Sequence, residues 1–237
     1  IRSTCLQQVK SQWSYEGHVD GSNVPVSVQG VSGVIHASLS GIYWSGSCVV
    51  LSGGSAKCWG NSTSFLLGDG NDYSSGRSLL PVTVSGLSNG TQVVAGNNHS
   101  CALISGGSVK CWGGNGNGQL GDGTTASKST PVSVSGLSGV SEISAGYDTT
   151  CARLSDGIAK RWGRAKYGRL GNDNDTTNQL TPVSVSGLTG VSQISSFDAH
   201  SCAVIGGNAV KCWGYNAYGQ LGTTDKYNRL TPIQAGE

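Results

Sequence analysis

The sequence contains no methionine, only two phenylalanines and only five prolines in 237 residues. Methionine is missing even from position 1, so the chain is expected to be a processed protein or a piece of a longer one. Charge is scarce: 12% of residues are Asp, Glu, Lys or Arg, where about 25% is usual. A net charge of only +2 argues against binding nucleic acid through a broad basic surface. The same scarcity excludes a disordered polyampholyte, which needs charge to stay solvated. No apolar run approaches the roughly 18 residues that cross a bilayer, so no membrane insertion is expected. Too few prolines, and glycines out of a three-residue period, exclude a collagen-like chain. No signal peptide is visible, which fits a mature secreted protein.

Glycine and cysteine are abundant instead, at 38 and 8 residues. So many cysteines favour an oxidising compartment if they are paired. The glycines belong to a repeat. All five prolines recur in one phrase (Pro25, Pro81, Pro131, Pro182, Pro232), at intervals of 56, 50, 51 and 50 residues. In step with it run Cys58-Trp59-Gly60, Cys111-Trp112-Gly113, Arg161-Trp162-Gly163 and Cys212-Trp213-Gly214. Leu67-Gly68-Asp69-Gly70, Leu120-Gly121-Asp122-Gly123, Leu170-Gly171-Asn172 and Leu221-Gly222-Thr223 follow. His99-Ser-Cys-Ala-Leu and His200-Ser-Cys-Ala-Val precede, with Cys48 and Cys151 at the same place.

Within a repeat, Val140 to Ala145 and Thr149 to Leu154 read as short strands, and Gly/Ser/Asn/Asp clusters punctuate them. About four short strands per unit of ~50 residues is the arithmetic of a propeller blade. The predicted fold is therefore all-β, a β-propeller of four-stranded blades with about 4.6 repeats. Residues 1–28 form a partial repeat and 29–84, 85–135, 136–187 and 188–237 complete ones, in a single repeat domain. That count suits a fragment, a small ring or an open arc. An arc would leave strand edges unpaired and invite another chain.

The ordered phrases His-Ser-Cys-Ala-Leu, Cys-Trp-Gly, Gly118-Gln-Leu-Gly-Asp-Gly and Pro-Val resemble the regulator-of-chromosome-condensation repeat in its bacterial, cysteine-containing form. The resemblance covers residues 29–237. It implies a β-propeller, seven-bladed in the founding member. It does not carry over that member's nucleotide-exchange or chromatin roles, which rest on particular loops with no counterpart identified in this sequence.

Cys101 and Cys111 lie symmetrically about Gly106, Cys48 and Cys58 about Gly53, and Cys202 and Cys212 about Gly207. Residues placed so about a hairpin turn face each other, which predicts three intrablade disulfides. A spacing of ten residues does not suit zinc, and no metal or cofactor is expected. Cys151 should face Arg161 and so lacks a partner; Cys5 has none within the sequence. The repeated tryptophans are expected to pack blade against blade. His99 and His200 read as structural, and Asp69 and Asp122 as turn formers.

The stretches from Trp-Gly to the proline vary most between repeats. A propeller gathers such loops on one face, where binding residues concentrate. Arg164, Lys166, Tyr167 and Arg169 in one loop, with Tyr215 and Tyr218 in the next, form the candidate binding surface, since Tyr and Arg are enriched at hot spots. Lys226, Tyr227 and Arg229 continue it. The Gly/Asn-rich loop with Asn115 and Asn117 is expected to matter for neither binding nor stability. The expected function is a non-enzymatic, extracellular or cell-surface module binding a protein or glycan. The alternatives are a structural subunit of a homo-oligomeric surface assembly and, less favoured, a glycan-active enzyme.

Overall fold

The computed structural model describes residues 27–40, 46–72 and 76–236; Cys5, Trp13, His18 and Trp44 lie outside them. The described residues form four sheets of four antiparallel strands, each in plain sequence order. The first blade contains β1 (Val34–Leu39), β2 (Gly46–Leu51), β3 (Ala56–Asn61) and β4 (Arg77–Thr83). The second contains β5 (Gly90–Ala95), β6 (His99–Ile104), β7 (Ser108–Gly113) and β8 (Lys128–Ser133). The third contains β9 (Val140–Ala145), β10 (Thr149–Leu154), β11 (Ala159–Gly163) and β12 (Gln179–Ser184). The fourth contains β13 (Gln193–Phe197), β14 (His200–Ile205), β15 (Ala209–Gly214) and β16 (Arg229–Gln234). The strands expected at Val140 and Thr149 have the bounds read from the sequence.

The glycine after each repeated tryptophan lies at a bulge, at the end of the third strand or, in the first blade, one residue before it. The register to the fourth strand slips between Cys58 and Gly60, Cys111 and Gly113, Arg161 and Gly163, and Cys212 and Gly214. These four glycines have φ of 97°, 104°, 101° and 102°, a region side chains disfavour. A Cβ on Gly163 would also stand 2.3 Å from the Asp148 carbonyl oxygen.

The second and third strands pair Cys48 with Cys58, Cys101 with Cys111 and Cys202 with Cys212, and all three pairs are disulfide-bonded. In the third blade the same register sets Cys151 against Arg161. Cys151 is a buried free thiol, its pKa pushed up to about 12 by burial.

Blades join through a repeated lock. Trp112, Trp162 and Trp213 are fully buried. Their indole N–H groups donate to the backbone carbonyls of Leu66, Gln119 and Arg169 in the preceding blade, at 2.9, 2.9 and 3.2 Å. Buried indoles need such a partner. Each ring lies on the glycine of the preceding Leu-Gly phrase: a Cβ on Gly68, Gly121 or Gly171 would meet the indole at 2.5–2.7 Å. Trp59, in the first blade, is half-buried. The first strands converge, with Ser38 Oγ accepting from Ala95 N, Gln92 Oε1 from Ile143 N and Ser144 Oγ from Ser196 N.

Candidate binding face

The loops that follow the third strands and the turns that follow the first strands emerge on one face. In the second and fourth blades the former loops are organised by their own side chains. Asn115 is fully buried; its Oδ1 accepts from Leu120 N and its Nδ2 donates to the Thr124 and Ala126 carbonyls. Asn216 does the same, accepting from Leu221 N and donating to the Asp225 carbonyl. Gln119 and Gln220 clip the loops shut, their Oε1 atoms accepting from Asn117 N and Tyr218 N at 2.9 and 3.0 Å. The expectation that Asn115 is dispensable for stability is thus corrected. An exposed reading of a Gly/Asn-rich loop misses an amide folded inward to serve stranded backbone groups.

The third blade departs from this plan. Ala165 stands where Asn115 and Asn216 stand, and Arg169 where Gln119 and Gln220 stand. Lys166–Gly168 forms a 3₁₀ turn with Tyr167 at φ 69°. Arg169 is 5% exposed, and among the described residues none of its side-chain nitrogens finds a hydrogen-bond acceptor; Nε and Nη1 are sealed from solvent. Its pKa is lowered, chiefly by burial and then by the neighbouring Arg164. Asp148 makes no hydrogen bond to it; its Oδ2 accepts from Arg164 Nη1 at 3.2 Å, and its charge reaches Arg169 only through space. Burial raises the Asp148 pKa against the pull of that Arg164 bond.

Six residues singled out in the sequence come together here. Arg169 lies 5.6 Å and Lys166 Nζ 4.9 Å from the Tyr167 ring centroid. Tyr167 stands 5.0 Å from Tyr215, and Tyr215 6.2 Å from Tyr218, with interplanar angles of 47° and 74°. The result is a strip across the joint between the third and fourth blades, from Arg164 to an 87% exposed Tyr218. Arg229 does not extend it, since its guanidinium is paired with Asp225 at 2.6 Å.

Beside the strip the first-strand ends surround a cavity of about 290 Å³ lined by Ser38, Asn97, Tyr147, Phe197 and Asp198, among others. Sequence reading did not find this cavity. Its signal is the segment at the end of the first strands of the second to fourth blades, Gly96-Asn97, Gly146-Tyr147 and Phe197-Asp198, which changes from blade to blade.

The other candidates are structural. His99 is fully buried, bonded to Thr150 Oγ1 at 2.9 Å, with its pKa lowered to about 4 by burial. Asp69 and Asp122 accept from the backbone N–H two residues on, as turn formers do. Arg161 is 1% exposed and does more than fill a lost disulfide. It donates to the Arg169 carbonyl and to Thr149 Oγ1, and its guanidinium carbon lies 5.7 Å from the Trp213 ring centroid. At the preceding joint the corresponding carbonyl, of Gln119, receives the hydroxyl of Thr150 instead. Burial brings the Arg161 pKa down to about 10.

The sequence pattern of the regulator of chromosome condensation (RCC1) repeat matches residues 54–103, 106–153 and 161–204, and a second pattern of the same description matches 91–119. The chain belongs to the RCC1 repeat family. Among solved structures it is similar to Prp20p of Saccharomyces cerevisiae, at 19% identity and a TM-score of 0.78, over 90% of this chain and 53% of that one. Yeast RCC1 (Prp20) bound to Kap60 gives 20% identity and 0.73, over 84% and 48%. Human WBSCR16 gives 19% and 0.59, over 89% and 69%. The RCC1-repeat chain spans about half the length of the yeast proteins, and the four sheets of the described residues are propeller blades in an open arc. Within this RCC1-repeat chain, the third blade carries Ala165 and Arg169 where the second and fourth carry loop-building Asn and Gln, and the first carries Ser62 and Leu66 there.

Proposed function

We propose that this RCC1-repeat chain is a non-enzymatic, extracellular or cell-surface module that recognises a protein or glycan through its loop face. The strip Arg164–Lys166–Tyr167–Arg169–Tyr215–Tyr218 carries the reading, because it unites rigid aromatic area with basic groups at an exposed joint. The rings are tilted rather than coplanar, so they offer facets to side chains better than a flat platform to a sugar ring. Prp20p, of the same fold, is a protein whose binding to Gsp1p and histones has been described with its structure. Three disulfides among the described residues support an oxidising location.

Binding of the chain to peptide and glycan arrays tests this. Replacing Tyr167 and Tyr218 together by Ala should weaken the captured interactions more than tenfold, about 1.4 kcal/mol, at unchanged melting temperature. Binding that survives the double variant overturns the assignment.

A second reading, a homo-oligomer joined edge to edge, rests on exposed residues of the first and fourth described blades. Leu180 and Leu230 cover Gly118 and Gly168 of the preceding blades, whereas their counterpart Leu79 is 82% exposed and the counterpart glycine, Gly219, has open space beside it. Light scattering of the native chain should then show a mass that falls to the monomer's on Leu79→Ser. A monomer at all concentrations removes this reading.

A further inference from the structure

Arg169 occupies a position at which the second and fourth blades carry a glutamine that closes its loop. Gln119 accepts from Asn117 N and donates to Asn98 Oδ1 at 3.0 Å; Gln220 accepts from Tyr218 N. Arginine cannot accept, so the Tyr167 N–H loses the acceptor its counterparts have, and the loop closes instead through Arg169 N to the Ala165 carbonyl at 3.2 Å. Arg169 is 5% exposed as a residue, its Nε and Nη1 are sealed from solvent, and among the described residues its guanidinium has no hydrogen-bond acceptor. Burying such donors unpaired is costly, and a bound acceptor would recover the loss. The surrounding charges are Arg164, Lys166 and the deeper Arg161 on one side, with Asp148 and Asp198 on the other. With Arg169 itself, four cations face two carboxylates, so the cluster keeps a positive excess.

We infer that Arg169 anchors a carboxylate-binding subsite, which takes an Asp or Glu side chain of a protein partner lying across the tyrosine strip. The inference rests on reading the loop face as a binding surface. A planar guanidinium fork matches one carboxylate in two parallel hydrogen bonds, which neither lysine nor glutamine reproduces. The Tyr167 ring covers the fork and turns aside as the carboxylate enters. It then packs on the partner's neighbouring residues together with Tyr215 and Tyr218. The choice of a peptide over a sulfated glycan follows from the ring angles of 47° and 74°, which keep the three rings from forming one continuous platform for a run of stacked sugars.

Calorimetric titration of the intact chain with hexaglutamate, and separately with a heparin octasaccharide, tests the subsite in low-salt buffer. Hexaglutamate should bind, and Arg169→Gln should weaken it at least tenfold and flatten its salt dependence. The same variant should melt no lower than the parent, because glutamine restores the clip used by the sister loops. Loss of binding with a large fall in melting temperature would instead make Arg169 a packing residue and overturn the subsite. Hexaglutamate binding that resists Arg169→Gln yet is lost in the Tyr167→Ala/Tyr218→Ala double variant overturns the anchor and leaves the binding face standing. Indifference to both overturns the two together. No hexaglutamate binding, or binding of heparin alone, overturns the carboxylate assignment.

Discussion

The Trp–Gly lock between blades can be measured by a matched pair of substitutions. Gly121 and Gly222 hold the same place in their repeats and nearly the same backbone, with φ of 70° and 71°. Putting Ala at either costs about 1–2 kcal/mol for a side chain in the left-handed region. The two differ in what the new Cβ meets. At Gly121 it would stand 2.7 Å from Trp162 Nε1, 2.8 Å from Cδ1 and 3.0 Å from Val134 Cγ1; at Gly222 it meets only the Ala235 Cβ, at 3.6 Å. Trp162 is fully buried and must retreat, which strains a close-packed joint by about 1–3 kcal/mol. The retreat also stretches its 2.9 Å bond to the Gln119 carbonyl, leaving a buried donor and acceptor unpaired at about 1–3 kcal/mol. Gly121→Ala should therefore destabilise by about 3–8 kcal/mol and Gly222→Ala by about 1–2. Urea unfolding followed by tryptophan fluorescence reads both. Equal losses, within about 0.5 kcal/mol, would refute the steric role assigned to the indole.

Three further outcomes are expected. Arg161→Cys should create a fourth bridge with its register partner Cys151; peptide mapping after alkylation under denaturing conditions should find the Cys151 thiol free in the parent and blocked in the variant, and a free thiol in both refutes it. Stability should fall with acid through His99, whose pKa is about 4 when folded against 6.5 when exposed. The neutral ring's contribution is whole above pH 6.5 and is lost as the pH falls towards 4, in all about 3 kcal/mol. His36 and His200 are shifted the same way, so the check is a flatter pH dependence of urea midpoints in His99→Thr, and an unchanged slope contradicts it. Asn115→Ala should cost about 2 kcal/mol, since the buried amide serves Leu120 N and two carbonyls; a melting temperature equal to the parent's would return the loop to the solvated role read from its composition.

The repeat arithmetic by itself determined the blades, the strand bounds of β9 and β10, the three cysteine pairs and the burial of Trp112, Trp162 and Trp213. Each depends on contacts within one unit, or on a contact copied at every joint, so periodicity exposes it. Asn115 was misread because its role lies in the direction its amide points, and composition carries no direction. Tyr167 and Tyr215 stand 48 positions apart in the sequence; only the stacking of the third blade on the fourth brings their rings to 5.0 Å. The same stacking turns Arg161, legible only as a missing cysteine, into a clamp on Trp213 and the Arg169 carbonyl. Arg169 shows the division most clearly. Its departure from glutamine is visible in the aligned repeats, but that its Nε and Nη1 are buried without an acceptor depends on what the neighbouring segments place around them, which tertiary packing alone decides.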